Sequence, residues 1–204
     1  NASNSVTPSG TTTYYVLITE GICMDSLTVT VNVNGSPTIV ATANPTTIAE
    51  GETSQLTATG GIVYDWTPTS TLTCNNCNNP VASPTVTTTY NVSGTDANGC
   101  VSSTGAVSSV TVNALPTITV ATNNTLLCTG ETATLTASGA ATYTWSTSEN
   151  TTDIAVSPTV QTTYTVDGTD ANGCSNTTTI TQDVSVCTGL TQLNLNNGLS
   201  IYPN

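Results

Sequence analysis

The cysteines are the residues of this chain whose type and spacing most directly suggest chemistry. The chain has seven of them in 204 residues, and Cys74 and Cys77 form a C-x-x-C pair. A zinc site would need two more ligands, but the sequence has no histidine and no second C-x-x-C pair. We therefore predict a local Cys74–Cys77 disulfide, in an exposed loop that is an insertion in one repeat. Because seven is odd, at least one cysteine is free or pairs with another chain, and Cys23 and Cys100 are the candidates.

The acidic side chains are the second set of residues that could do chemistry. Twelve carboxylates stand without any lysine, arginine or histidine, so the net charge is −12. Without histidine or lysine there is no Ser-His-Asp triad and no Schiff-base lysine, and we predict that the chain is not an enzyme. Calcium prefers oxygen ligands, and its weak candidates are Asp96, Asn98, Asp170 and Asn172. We favour turn capping by the two aspartates instead, and we predict no cofactor.

The missing cations also restrict the partners of the chain. Nucleic acids and anionic membrane surfaces both attract lysine and arginine, which this chain lacks. No apolar run approaches the roughly 20 residues of a membrane-spanning helix. We expect no nucleic-acid binding and no membrane insertion. The cysteines and the composition indicate export, although no signal peptide is present, so we interpret the chain as a mature piece of a longer protein.

An internal repeat organises the elements that must position these residues. The stretch Ser83–Cys100 is repeated at Ser157–Cys174 with 15 of 18 positions identical, and a degenerate third copy lies at Val6–Cys23. Each copy is rich in Thr, Tyr and Val and then reaches a turn, in two cases Asp-Ala-Asn-Gly. This pattern predicts a strand, a tight turn and a second strand, repeated in an array of similar units.

The spacing of aromatic residues predicts the fold class. Trp66 and Trp145 each lie on a third strand after a segment that begins GET and ends in glycine, GETSQLTATG and GETATLTASG, and Tyr90 and Tyr164 each begin a penultimate strand. An immunoglobulin-like sandwich buries such a tryptophan and places a tyrosine corner near such a tyrosine, so we assign all four to the core. We predict an all-β fold of tandem immunoglobulin-like antiparallel β-sandwich domains in an elongated array. The predicted domains are a partial domain with late strands only (1–35), two complete domains (36–114 and 115–187) and a tail (188–204).

Sandwich topology indicates one disulfide in the second complete domain. Cys128 lies in the first connection and Cys187 follows the last strand, so both fall at the same end of a seven-stranded sandwich. Cys174 lies in the turn at the other end. This reasoning favours a Cys128–Cys187 bond.

The pattern W-x(n)-SPT-x-TTTY-x-V-x-GTDANGC resembles the tandem Ig-like or PKD-like repeats of large Bacteroidetes surface proteins of the adhesin and gliding type. The end of the tail, Leu199–Asn204 (LSIYPN), looks like the opening of a type IX secretion C-terminal sorting domain. The resemblance implies an extracellular protein at the cell surface, used in adhesion, in gliding or as a spacer. It also makes Cys128–Cys174 a rival pairing, because such repeats often carry cysteines at these two positions. Asp25-Ser26-Leu27 resembles the O-glycosylation motif of the same group, with Ser26 as candidate acceptor.

Three hypotheses for function follow from these features. The first is a rod or filament subunit, whose partner is a second copy of the chain. The second is an adhesin module that binds glycans or other cell-surface proteins, and the third is a non-catalytic spacer of a secreted type IX cargo protein.

For the filament we expect strand donation between copies. The N-terminal piece is expected to be a three-strand remnant that lacks early strands, while Leu190–Tyr202 reads as a spare strand. Donor-strand complementation would join the tail of one chain to the remnant of the next, head to tail. The alternative is a boundary that cuts a longer repeat protein.

Overall fold

The computed structural model describes residues 4–187, and all regular secondary structure in this range is β-strand. The chain divides into two compact units, residues 1–113 and 114–204. The strands of the first unit are β1 (Thr12–Glu20), β2 (Cys23–Val31), β3 (Val40–Asn44), β4 (Thr47–Ala49), β5 (Ser54–Thr59), β6 (Val63–Thr67), β7 (Val81–Ala82), β8 (Thr88–Thr95) and β9 (Ala106–Asn113). Those of the second unit are β10 (Thr119–Thr122), β11 (Leu126–Cys128), β12 (Ala133–Ser138), β13 (Thr142–Trp145), β14 (Asp153–Val156), β15 (Thr162–Thr169) and β16 (Ser175–Ser185).

A two-layer sandwich occupies residues 40–113. One sheet has the order β3-β5-β7 and the other the order β4-β9-β8-β6. The chain crosses between the sheets early, because β3 pairs antiparallel with β5 whereas β4 pairs parallel with β9. Alternating side chains of the strands point between the sheets, and those of Leu56, Trp66, Tyr90 and Val110 are completely buried there.

The second unit repeats this arrangement. Its sheets have the orders β10-β12-β14 and β11-β16-β15-β13, and β11 pairs parallel with β16. Its core includes Leu127, Leu135, Trp145, Ile154 and Val166. Two facing sheets that are antiparallel apart from one short parallel pair, a tryptophan on the third strand and a first segment shared between both sheets define an immunoglobulin-like sandwich. The predicted all-β, immunoglobulin-like sandwich class is therefore confirmed, whereas the elongated array stays a prediction.

The N-terminal segment forms a separate two-stranded sheet. Strands β1 and β2 pair antiparallel from Thr12 with Val31 to Glu20 with Cys23, around a turn in which Gly21 has a φ of +60°. The expectation of a three-strand remnant is wrong, because residues 4–11 form no strand. The tail at 188–204, including its spare-strand interpretation, lies outside the described residues.

Candidate interaction surface

The N-terminal hairpin matches the last two strands of each complete sandwich in register. In the sandwiches the tyrosine of the penultimate strand pairs with Ser108 or Ile180 of the last strand. In the hairpin Tyr14 pairs with Val29. The match continues past the strand ends, since the Thr11 hydroxyl oxygen accepts from the Val33 amide at 3.2 Å. Its counterpart, between the Thr87 hydroxyl and the Val112 amide, measures 3.1 Å.

This match defines which face of the hairpin corresponds to a sandwich interior. We call it the inner face, and its large apolar residues are Tyr14, Val16, Ile18, Leu27, Val29 and Val31. The face also carries Asp25 opposite Ile18, and Thr12, Glu20 and Cys23 towards its ends. In the complete units the counterparts of Val16 are Val92 and Val166, which are 1% and 0% exposed. Val16 itself is 46% exposed and Leu27 is 58% exposed. Within residues 4–187, the hairpin thus carries a core face without the opposite sheet that covers it in the two sandwiches.

The two edges of the hairpin also lack strand partners within residues 4–187. In the complete units the penultimate strand pairs with β6 or β13, and the last strand pairs in parallel with β4 or β11. Among the residues that the structure describes, the β1–β2 sheet contains two strands and no third. A weak contact exists beyond β2, where the Cys100 thiol donates to the Asn34 carbonyl oxygen at 3.9 Å.

The opposite face of the hairpin, here called the outer face, differs in chemistry from its counterparts. Tyr15 and Leu17 are 78% and 63% exposed on it. At the matching positions the sandwiches have polar residues, Asn91 and Ser93 in the first unit and Thr165 and Asp167 in the second. Ser26, the candidate glycosylation acceptor, is exposed on this outer face opposite Leu17, and its amide donates to the Asp25 carboxylate at 2.8 Å.

Cys74 and Cys77 are joined by a disulfide. The backbone around them accepts from Trp66, whose amide reaches the Asn75 oxygen at 2.8 Å and whose indole N–H reaches the Cys77 oxygen at 3.0 Å. In the second unit Trp145 makes the same two bonds, to Glu149 and Thr151.

This correspondence corrects the interpretation of the C-x-x-C pair as an insertion. Positions 75 and 77 match 149 and 151, so the five extra residues of the first unit lie before Cys74. Part of this insertion lines the edge of β7, where Leu72 forms a bridge with Ala82. The C-x-x-C segment therefore belongs to the framework that holds the tryptophan.

Cys128 and Cys187 are joined by the second disulfide. Cys128 ends β11, which lies in parallel beside β16, and Cys187 follows β16 at the same end of the sandwich. The rival partner Cys174 lies in the turn after β15 and is buried. Cys23 is an exposed thiol at the hairpin turn, and Cys100 is a half-buried thiol in the corresponding turn of the first sandwich.

The Asp-Ala-Asn-Gly turns use their carboxylates internally. Asp96 Oδ1 accepts from the amides of Asn98 and Cys100 at 2.8 and 2.9 Å. Asp170 Oδ1 accepts from the amides of Asn172 and Cys174 at the same two distances. Such bonds are those of a capped turn, which supports that interpretation over calcium binding. Within residues 4–187 no group of three His, Cys, Asp or Glu residues is placed to hold a metal.

The four predicted core aromatics are buried, and two further tyrosines that the sequence analysis missed join them. The Tyr90 hydroxyl pairs with the Thr71 hydroxyl at 2.6 Å, so its bond goes to a side chain of the inserted loop and not to the backbone of a tyrosine corner. Tyr64 donates to the Gly61 carbonyl at 2.7 Å, and Tyr143 donates to Ala140 at 3.0 Å. The sequence signal for these two tyrosines was the Tyr-x-Trp spacing shared by β6 and β13.

In the part of the chain that the structure describes, no helix is long and apolar enough to cross a bilayer.

No protein-family model matches this sequence, and no curated protein matches it. Among solved structures, the chain is similar to the eight N-terminal Ig domains of Down Syndrome Cell Adhesion Molecule, with 14% identity and a TM-score of 0.44 over 85% of this chain and 27% of that one. It is also similar to a Ca²⁺-stabilized adhesin of an Antarctic bacterium that binds ice, with 15% identity and a TM-score of 0.43 over 86% of this chain and 57% of that one. Its similarity to murine CEACAM1b has 16% identity and a TM-score of 0.32, over 72% of this chain and 100% of that one. This chain thus spans less than two thirds of the cell-adhesion molecule fragment and of the ice-binding adhesin, at 27% and 57% of their lengths. The fold assignment rests on the strand order and register described above.

Proposed function

We propose that this protein is an extracellular structural subunit of the cell surface, which polymerises head to tail by strand donation. The observation that carries the proposal is the exposed inner face of the hairpin, whose counterparts in both sandwiches are buried. The resemblance of the repeats and tail to Bacteroidetes surface proteins exported by type IX secretion agrees with this location. Adhesion to other cell-surface proteins or glycans would be a property of the assembled array.

The hairpin gains stability if another chain covers it. A two-stranded sheet is marginally stable in water by itself. Each valine, leucine or isoleucine that becomes fully buried contributes about 1.5 to 3 kcal/mol. The inner face offers several such side chains at intermediate or high exposure, together with two unpaired strand edges that can accept a strand by main-chain hydrogen bonds.

The donor in this proposal is the segment 190–204 of a second copy. Its sequence LTQLNLNNGLSIYPN alternates leucine or isoleucine with polar residues over much of its length and contains no carboxylate. Every charged side chain of this protein is negative, so an uncharged donor adds no repulsion when two copies meet. The acceptor and the donor are different segments of the chain, so the contact is heterologous and produces a filament wherever the rotation between successive copies does not close a ring.

Deleting residues 190–204 tests the proposal directly. The intact chain is expected to form polymers that sedimentation and electron microscopy detect, whereas the shortened chain is expected to stay monomeric. Val16→Asp, on the inner face, should also abolish assembly, while its neighbour Leu17→Asp on the outer face should leave assembly intact. Equal behaviour of the intact and shortened chains would contradict strand donation.

A binding module is the second candidate, and the outer face favours it. Tyr15 is an exposed aromatic residue next to Leu17, where the complete units have polar side chains. Such a surface could stack on a sugar ring or contact another protein. Glycan-array binding that is lost in Tyr15→Ala and kept in Val16→Asp would support this function. If the chain binds no glycan and Tyr15→Ala leaves cell attachment unchanged, the outer face has no binding role. The spacer hypothesis would then remain.

A further inference from the structure

Both complete sandwiches leave room for one isoleucine at the same place. Ile39, which precedes β3, packs over Gly94 of β8, and a Cβ added at Gly94 would lie 2.4 Å from the Ile39 Cδ1. In the second unit a Cβ at Gly168 would lie 2.4 Å from Cδ1 of Ile118. A side chain at either glycine would therefore displace the isoleucine that packs there from the facing sheet.

The hairpin has a different residue at this position. The register places Ile18 where the complete units have Gly94 and Gly168, four residues after the aligned tyrosine. Val16 of the hairpin pairs with Leu27. Its counterparts in the sandwiches, Val92 and Val166, pair with the smaller residues Ala106 and Thr178. The inner face of the hairpin is thus bulkier than those of the sandwiches at two positions.

We infer that Ile18 selects the strand that completes the hairpin. Its side chain occupies the volume that Ile39 or Ile118 fills in a complete unit, so a first strand of the repeat type could face the hairpin only by displacing one of the two isoleucines. The completing element is then a single extended strand of a second copy, alongside β2, without a β3-type strand facing Ile18. This inference rests on the proposed strand donation and specifies its geometry.

The position of the added strand follows from the parallel pairing in the first sandwich. There the Thr111 amide donates to Thr46 and the Glu50 amide donates to Asn113, at 2.8 and 2.9 Å. By the register, Asn32 corresponds to Thr111 and Asn34 to Asn113. In the hairpin the Asn32 amide would therefore donate to the added strand and the Asn34 carbonyl would accept from it. An aliphatic side chain of the donor would lie beside Val33, as Ile48 lies beside Val112. The Cys100 thiol would leave the Asn34 oxygen when the strand binds.

Two synthetic peptides can test this inference on a chain that ends at Cys187, which retains all the strands of both sandwiches. One peptide is residues 190–204, and the other is residues 37–50, the repeat-type first strand with Ile39 and Ile48. The unaltered chain is expected to bind peptide 190–204 and to bind peptide 37–50 about tenfold more weakly or less, since overpacking opposes the second. Hydrogen exchange should slow at the Asn32 amide on binding.

An Ile18→Gly variant should reduce this selectivity. It is expected to gain affinity for peptide 37–50, whereas its affinity for peptide 190–204, which lies alongside β2 and away from Ile18, should stay unchanged. The matched control Leu17→Gly introduces the same glycine on the outer face and should keep the original preference.

The outcomes separate the two proposals. If peptide 190–204 binds but Ile18→Gly leaves the ratio of affinities unchanged, the role of Ile18 is refuted and strand donation stands. If peptide 190–204 does not bind the unaltered chain, strand donation by this segment is refuted as well. Binding without protection of the Asn32 amide would overturn the position alongside β2.

Discussion

Removing the disulfide between Cys128 and Cys187 should destabilise the second unit and leave the first unchanged. The bond joins residues 59 apart and anchors the short parallel strand β11 to the end of β16. In the chain-entropy account, closing a loop of this length removes about 14 cal/mol/K from the unfolded state, or about 4 kcal/mol at 25 °C. The perturbation is the double substitution Cys128→Ala with Cys187→Ala, which leaves the first unit untouched.

Scanning calorimetry together with hydrogen exchange is the appropriate assay. A loss of about 4 kcal/mol should lower the melting temperature of a domain of this size by about 15 to 30 °C. Exchange should become faster in β12 of the second unit and stay unchanged in β5 of the first. As a control, Cys74→Ala with Cys77→Ala opens a bond between residues only 3 apart, and its smaller effect should be confined to the first unit. A second unit that keeps its stability within about 1 kcal/mol, or an equal loss in both units, would refute the reasoning.

Three further predictions concern single residues. Gly139→Ala should destabilise the second unit by about 3 kcal/mol or more, because the φ of Gly139 is +100° and the new Cβ would lie 1.9 Å from the Thr117 carbonyl oxygen. Denaturant unfolding should show a loss of only about 1 kcal/mol for the control Gly130→Ala, since Gly130 has a similar φ but open space around it. Chelator should leave the melting temperature unchanged, while Asp170→Ala lowers stability by about 1 kcal/mol through lost turn bonds; a fall of tens of degrees with chelator would instead indicate a calcium site. Burial raises the pKa of Tyr164 above its ordinary value of 10.0, so the stability it contributes is complete below pH 10.0 and is lost as the pH rises through the folded-state pKa; alkaline unfolding of Tyr164→Phe should lack this component.

The repeated units were accessible from sequence because their signals are local. Alternation of Thr, Val and Tyr specifies strands, Asp-Ala-Asn-Gly specifies a turn, and a tryptophan at a fixed distance from GET marks the third strand. These signals predicted the all-β immunoglobulin-like class that the sheet orders confirm. They also place Cys128 and Cys187 at one end of a sandwich, since strand order determines which connections meet there.

Other features depended on which strands lie against each other. The difference in length between the two repeats suggested that the C-x-x-C pair was inserted, but the hydrogen bonds of Trp66 place the insertion before Cys74. A loop length does not show where its extra residues lie, because only the bonding partners define equivalent positions. The same limit applies to Tyr90, whose hydroxyl finds Thr71 in that inserted loop.

The sequence by itself determined that the N-terminal segment carries strands of the repeat type, because strand propensity and turn chemistry act between near neighbours. Only the tertiary structure decided which side of the hairpin is a core face and what it lacks. Alternation in β1 makes both faces apolar, with Val16 on one and Leu17 on the other, and burial depends on what another part of a chain places above them. The inference that Ile18 selects the completing strand likewise depends on the packing of Ile39 over Gly94, because this contact joins residues far apart in sequence.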